Sequence, residues 1–376
     1  MAHIKSRKHP PAQGATLAAG ARAATVLTGL ALTLPLHAQT AATATLPQVT
    51  VTGDSADDYK ADKVASPKFT QPLVNTTQTV SVIKEQVLKE QGATTLTEAL
   101  RNVPGVGTFN IGENGRMNTG DSVSMRGFDT SNSIFVDGVR DLGNITRDVF
   151  NTEQIEVFKG PAGSDNGRTA ASGSINMVTK QPRLEDSFDA SLGLGSARYK
   201  RTTVDWNKQL TGLPGAAFRL NLMGENSGVA GRDTVKNKKW GVAPSLALGL
   251  GTENRLYLDL LHVKQNNIPD GGVPTVGLKG YNAANITSSG TPVFSSAVSD
   301  YLNTHPVSSS AFYGTADDFQ HVTADMATAR FEHDFSADTT LRNTTRWGKS
   351  RHRYLATAVM APTGGATDPA AVQLSR

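Results

Sequence analysis

The sequence predicts an exported chain built as a small α+β domain followed by the first strands of an antiparallel transmembrane β-barrel. Three observations predict this. The first 38 residues run from basic to apolar to small, as a cleaved export signal does. Between residue 70 and about residue 182, helix caps and short β-prone runs alternate with Gly- and Asn-rich turns. From Phe188 onward, apolar and polar residues alternate with period two over segments of about ten residues.

In the leader, Lys5, Arg7, Lys8 and Arg22 form the basic region, Ala24 to Leu36 the apolar run, and Leu36-His37-Ala38 the cleavage-like end before Gln39. A run of roughly 13 apolar residues is too short for a hydrocarbon core that needs about 20, so a cleaved signal is preferred to a membrane anchor. Taking these four from the 37 Lys and Arg leaves 33, equal to the 33 Asp and Glu. The basic balance therefore belongs to the leader and implies no nucleic-acid partner. The sequence has no cysteine. That excludes a lipid-anchored Cys, a thiolate zinc site, an iron–sulfur cluster and disulfides. No stretch after residue 38 approaches the length of a transmembrane helix, so a mature chain that enters a membrane must do so as a closed barrel.

Residues 39–69 read as a flexible leader with one extended run, Leu46-Pro47-Gln48-Val49-Thr50-Val51-Thr52. Residues 70–182 form the α+β domain. Val80 to Ile83 reads as a strand, and Lys84 to Gln91 as a helix stopped by Gly92. A second helix opens on the capping box Thr95-x-x-Glu98, carries the stripe Leu96, Ala99, Leu100 and Val103, and is expected to end at Pro104-Gly105. Short strands are expected at 122–126, 134–137, 155–158 and 174–178.

Residues 183–376 carry the alternation. Phe188, Ala190, Leu192 and Leu194 share a face; so do Phe218, Leu220 and Leu222, opposite Arg219, Asn221 and Glu225. Trp240, Val242, Leu246, Leu248 and Leu250 repeat the pattern, as do Leu256, Leu258 and Leu260. Further on, Ala327, Ala329, Phe331 and Phe335 share a face, and Leu341 and Trp347 oppose Arg342, Thr344 and Arg346. A soluble antiparallel sandwich also alternates. The charges on the polar face and the one apolar residue per pleat fit lipid outside and water inside. A moderate loop is expected over 227–239. A long one is expected over 265–323, which would lie extracellularly because barrels of this type keep short turns on the periplasmic side.

Several runs carry a family resemblance. Met125-Arg126-Gly127-Phe128-Asp129 and Ile134-Phe135-Val136-Asp137-Gly138-Val139-Arg140 come first, then Ile155-Glu156-Val157-Phe158-Lys159-Gly160-Pro161. Gly167-Arg168 and Gly173-Ser174-Ile175-Asn176-Met177-Val178-Thr179-Lys180 follow. In order and spacing these resemble the plug of TonB-dependent outer-membrane siderophore receptors. Asn266 to Pro274 extends the likeness, which is nearest to receptors for monomeric ferric catecholates. The resemblance implies a plug domain with Arg126, Gly127, Asp137, Gly138, Glu156, Gly160 and Pro161 as its motif positions. It implies a TonB box at Leu46, Pro47, Gln48, Val49, Thr50, Val51 and Thr52, able to add as an edge strand to TonB. It also implies a monomer in the outer membrane of a Gram-negative bacterium, working with TonB and its inner-membrane energising complex. The ligand would be a ferric siderophore whose iron arrives chelated, so no protein-bound cofactor or metal is expected.

An anionic, aromatic ligand suits arginine by charge-assisted hydrogen bonding and by stacking. Arg116, Arg140 and Arg147 in the loops 110–121 and 141–148 are the candidate contacts, with Phe312, Tyr313 and Phe319 from the long loop. Among the charged residues Arg126, Asp137, Arg140, Glu153 and Glu156, most are read as internal ion pairs. The resemblance implies that plug arginines also pair with barrel glutamates, expected beyond residue 376.

The Gly-rich run Lys159 to Gly167 lacks the Gly-Lys-Ser/Thr ending of a phosphate loop and is read as turns. None of the eight histidines has metal-ligand spacing, and His305, His321 and His333 read as surface. No nucleophile elbow or cofactor motif is present, so an enzyme is not expected. Plugged barrels of this class have about 22 strands. The residues after the plug hold about eight, and the chain ends at Gln373-Leu374-Ser375-Arg376 without the aromatic that the resemblance implies for a last strand. The chain is therefore expected to be a fragment or truncated product. A passive porin-like channel, a soluble plug-like binding domain and an inert fragment are the competing functions.

Overall fold

The computed structural model describes residues 59–357, apart from residues 62, 70, 109–119, 142, 162–166, 168–170, 273–303, 305–307 and 309. The leader, the run Leu46–Thr52 expected to be a TonB box and Arg116 lie outside the described residues.

The plug opens with β1 (Thr79–Lys84), α1 (Glu85–Glu90) and α2 (Leu96–Ala99). Thr95 caps α2 as expected. Its hydroxyl accepts the Glu98 N–H at 3.3 Å, and the Glu98 carboxylate accepts the Thr95 N–H at 3.2 Å. The helix is shorter than the stripe implied, closing at Leu100 instead of Pro104. Val103 is still buried, but three-residue turns carry it there: its N–H bonds the Leu100 carbonyl at 3.0 Å, and the Val106 N–H bonds the Val103 carbonyl at 3.1 Å.

Eight strands in all belong to the plug. After β1 come β2 (Val106–Gly107), β3 (Ser124–Met125), β4 (Phe128–Asp129), β5 (Ile134–Val136), β6 (Val139–Arg140), β7 (Thr152–Lys159) and β8 (Gly173–Thr179). The main sheet runs β1-β7-β8-β5-β6, with β5 and β8 parallel and the other pairs antiparallel, and β2-β3-β4 form a small second sheet. Leu96, Leu100, Ile134, Ile155, Val157 and Ile175 are fully buried between sheet and helices. Two motif dipeptides are hairpin turns. Arg126-Gly127 (φ 50° and 86°) joins β3 to β4, and Asp137-Gly138 (φ 49° and 77°) joins β5 to β6. Positive φ at both central residues is the type I′ condition, which fits strand twist and favours Gly at the second place.

Seven barrel strands follow as an antiparallel meander: β9 (Ser187–Leu194), β10 (Lys200–Gln209), β11 (Ala217–Val229), β12 (Arg232–Leu248), β13 (Asn254–Asn267), β14 (Phe319–Ser336) and β15 (Thr339–Leu355). About eight were expected; seven lie among the described residues. Burial follows the alternation. On β11, Arg219, Asn221, Met223 and Glu225 are buried, while Phe218, Leu220 and Leu222 face outward. Phe188, Leu192 and Leu194 are 69–71% exposed, an apolar load that calls for a lipid neighbour rather than water. No described helix is long and apolar enough to cross a membrane.

Two expected loop boundaries are corrected. Residues 227–239 are not a loop: β11 and β12 stay paired through Ser227↔Asn237 and Asn226↔Lys238 to a turn at Ala230-Gly231. The ladder is hidden in the sequence because Asn237 and Lys239 face inward while Lys236 and Lys238 face outward, leaving no hydropathy contrast. The long connection is 268–318 rather than 265–323, since Gln265 and Asn267 are still paired with Val322 and Gln320. That connection shares one end of the sheet with the turns at 195–199 and 230–231. The turns at 210–216, 249–253 and 337–338 and the plug-to-β9 segment lie at the other end.

Candidate functional site

The side chains that matter lie where the plug meets the inner face of the barrel wall. Two apolar contacts seat it. Phe150 packs against Met223, Ala243 and Val263, and Ile145 against Val322 and Ala324. Gly241 makes room for Phe150, because a Cβ there would lie 3.0 Å from the ring.

Around Phe150 the contact is ionic. Asp148, from the plug, takes a bidentate pair from Arg201 of β10 at 2.7 and 2.9 Å and a third contact from Lys239 of β12 at 3.1 Å. Glu225 of β11 completes the set, 2.8 Å from Arg201 and 3.2 Å from Lys239. All four side chains are 1–10% exposed, so two carboxylates and two cations neutralise one another away from water. Burial would raise the Asp148 carboxyl, but Lys239 and Arg201 outweigh it and hold it below the ordinary carboxylate value.

Two further contacts flank this one. Lys180, where the plug ends, bridges Glu85 and Asp205 of β10, each at 2.8 Å, and Arg219 of β11 binds the same Asp205 at 2.8 Å. On β15, Arg346 donates to the Val136 carbonyl at 2.6 Å and lies 3.3 Å from the Asp137 carboxylate. Asp137 meanwhile accepts the Thr179 N–H at 2.8 Å and its hydroxyl at 2.9 Å, tying β5 to β8. A cavity of about 350 Å³ remains between plug and wall, bordered by Asp137, Arg140, Thr146, Lys180, Asp259 and Arg346.

Among the described residues the plug's charges meet barrel side chains within this chain, on β10, β11, β12 and β15, and at Asp148, Glu153 and Asp137 the plug supplies the carboxylate and the barrel the cation. The expected pairing of plug arginines with barrel glutamates falls outside the described residues. Arg126 sits in a turn, and Arg140 donates through Nε to the Asn132 carbonyl at 2.8 Å. Glu156 is fully buried and accepts from Asn176 at 2.9 Å and Gln154 at 2.7 Å, and also from the Ala65 N–H. Gly160 takes a φ of 103° at the end of β7, and Pro161 follows it.

Of the six ligand candidates, Arg116 lies outside the described residues and the other five do not all gather in one place. Arg140 and Arg147 both border the cavity. Arg147 is buried and held by Asp121 and Asp141, each at 2.9 Å, and by the Gly143 carbonyl at 2.6 Å; it organises the 141–148 loop. Phe312 and Tyr313 are half-buried in the long connection. Phe319 stacks on His321 at 4.7 Å, on the outward face of β14 opposite the buried Gln320. Among the described residues no three His, Asp or Glu side chains gather as a metal site. Asp148, Arg201 and Lys239 were not singled out from sequence, and Glu225 was read only as part of the polar face of its strand. For Arg201, Glu225 and Lys239 the signal was a charge at the inward parity of a polar strand face; Asp148, in a plug loop, carried none.

Residues 72–174 match the family described as the TonB-dependent receptor plug domain. The chain is 51% identical to the catecholate siderophore receptor Fiu of Escherichia coli K12 over 91% of its own length. The chain belongs to the TonB-dependent receptors. A probable TonB-dependent siderophore receptor, PiuA of Acinetobacter baumannii, is 32% identical over 88% of this chain and 42% of its own. The closed crystal form of Fiu matches with a TM-score of 0.73 and 52% identity, over 84% of this chain and 42% of that one. The chain thus spans about 43% of the length of the Fiu sequences it matches. Its seven strands are part of a TonB-dependent receptor barrel, and the family is one of outer-membrane receptors of Gram-negative bacteria, not of enzymes.

Proposed function

We propose that this chain serves in a receptor that imports ferric siderophores of the catecholate type across the outer membrane, energised through TonB. The Asp148–Arg201–Glu225–Lys239 contact carries this reading. It seals the plug to the wall with side-chain contacts alone, so a mechanical pull can break it and relaxation can remake it. Such a gate suits a membrane without its own ATP or potential. The pull would enter at Leu46–Thr52, where backbone pairing with TonB supplies the grip and Pro47 marks one end. Similarity to a receptor named for catecholate siderophores supports the ligand class. Arg140 and Arg116 are the cations proposed to meet the anionic complex, and Arg147 supports the loop that follows Arg140. The iron is cargo, carried in its own chelate.

The test is uptake of radio-iron as a ferric monocatecholate by cells lacking other catecholate receptors and expressing the gene that encodes this chain. Uptake should vanish on deletion of Leu46–Thr52 or on collapse of the inner-membrane potential. Uptake that survives both would make the protein a passive channel.

A further inference from the structure

Asp259 of β13 is a carboxylate of the inner wall that the seated plug leaves without a cation. It shares the inward parity of the buried Val263 and Gln265, and its Oδ1 is buried with no hydrogen-bond partner among the described residues. The other inward carboxylates of the wall are engaged: Asp205 meets Lys180 and Arg219, Glu225 meets Arg201 and Lys239, and Glu332 meets Arg255 and Arg342. The charged side chains that act on Asp259 are Asp137 of the plug and Arg330 and Arg346 of the wall. Arg330 is drawn elsewhere. It lies 3.4 Å from Glu332, donates to the Gln181 side-chain oxygen at 3.2 Å and stacks on Tyr257 at 4.1 Å. A buried carboxylate oxygen without a donor is costly, so its place calls for a state in which it is paired.

Strand register puts Asp259 and Arg346 on one rung. Asp259 pairs with Thr328 and Thr328 with Arg346, two strand spacings or about 10 Å between backbones. Arg346 already leans along this rung, because its Nε donates to the Thr328 hydroxyl at 2.8 Å. An extended arginine and an aspartate together span that distance. The cavity of about 350 Å³ that both residues border leaves room for the swing.

The remaining contacts of Arg346 belong to the plug. They are the Val136 carbonyl at 2.6 Å and the Asp137 carboxylate at 3.3 Å, consecutive residues where β5 ends. A movement of that turn takes both away together. Arg346, whose side chain is 7% exposed, would keep only a neutral hydroxyl, and a cation stranded in that way opposes the movement.

We propose that Asp259 is a positioning residue for plug release, receiving Arg346 when Asp137 departs. The cation passes along the rung from a plug carboxylate to a wall carboxylate. It is matched at both ends of the movement, so the pull works against a smaller step. Asp259 therefore stabilises the released state and contributes nothing to holding the plug. The proposal rests on the reading that the plug moves during import, but its test needs neither siderophore nor TonB.

The sign of one substitution decides it. The protein is the full receptor carrying this chain, cleared of any other cysteine and purified in detergent. Ala324→Cys puts a thiol on the inward face of β14, where Ile145 of the plug covers it. Maleimide labelling across a urea series then reads the equilibrium between seated and released plug. Asp259→Asn should shift that equilibrium toward the seated plug by about tenfold or more, the range of a hydrogen bond between charged groups, and Asp259→Glu should restore it. In an Arg346→Met background Asp259→Asn should have no effect, because no cation is left to receive. Unchanged or easier release in Asp259→Asn overturns the proposal, since a carboxylate that merely braces the wall would loosen the plug when removed. An equal shift in the Arg346→Met background also overturns it, leaving only repulsion between Asp137 and Asp259. Heat-modifiable gel mobility shows that each variant is folded. Energised uptake by wild-type cells, measured separately, tests the import reading, and the urea result stands whichever way that falls.

Discussion

Replacing Asp148 by Asn removes the plug's charge from a site that holds two barrel cations. Arg201 and Lys239 would then share Glu225 alone, leaving one uncompensated positive charge among side chains no more than 10% exposed. Removing one partner of a buried ion pair costs about 3–5 kcal/mol. If that cost falls on plug seating, the unseated population rises by about 10²–10⁴-fold. Asn keeps the shape and can still accept the Phe150 N–H that Asp148 accepts at 3.0 Å, so the effect isolates charge. The sequence lacks cysteine, so one introduced thiol is unique. Ser245→Cys places it on the inward face of β12, where Ser245 is buried. Maleimide labelling there should accelerate in Asp148→Asn. Adding Lys239→Met restores neutrality and should recover most of the protection. A double variant that labels as fast as the single one would refute the electrostatic account, as would a single variant that labels at the wild-type rate.

Three further outcomes follow from the same geometry. Asp148 and Glu85 both have carboxyls held below their ordinary values, so their stabilisation is complete above roughly pH 4 and drains as pH falls through the lower folded values. The same thiol should stay protected at pH 5 and lose protection near pH 3, with each labelling rate taken relative to that of the urea-unfolded protein at the same pH because the thiolate fraction falls with pH. Arg147→Ala should cost about 3–5 kcal/mol by stranding Asp121 and Asp141, and should appear as a lowered melting temperature even without ligand. A variant that melts like wild type but binds ligand poorly would make Arg147 a contact residue instead. Gly120→Ala should dislodge the 141–148 loop, because its Cβ would fall 2.2 Å from the Ile145 carbonyl, and faster limited proteolysis there should report it.

Much of the fold was legible because local chemistry dictated it. The Thr95–Glu98 capping box and the period-two alternation each encode their structure within a few residues, whereas Arg126 and Asp137, read as strand ends, are hairpin-turn residues. Strand ends were not legible where both faces are polar. Asn237 and Lys238 differ little in hydropathy, yet one points into the barrel and the other toward the membrane surface.

The site was less readable than the fold. Arg147 and Arg140 look alike as loop arginines. Both border the cavity, and only the approach of Asp121, 26 residues away, and of Asp141 makes the first a buried strut while the second stays half-buried. Likewise, parity marks Arg201 and Lys239 as inward-facing, but their shared contact with Asp148 depends on how the plug sits, across 53 residues of chain in the case of Arg201. By itself the sequence determined the element types, the two-faced wall and the family likeness, since these rest on short-range propensity and periodicity. Tertiary structure alone decided which charges meet. Burial strips away the water that would otherwise make every surface charge equivalent, and long-range packing chooses the partner that replaces it.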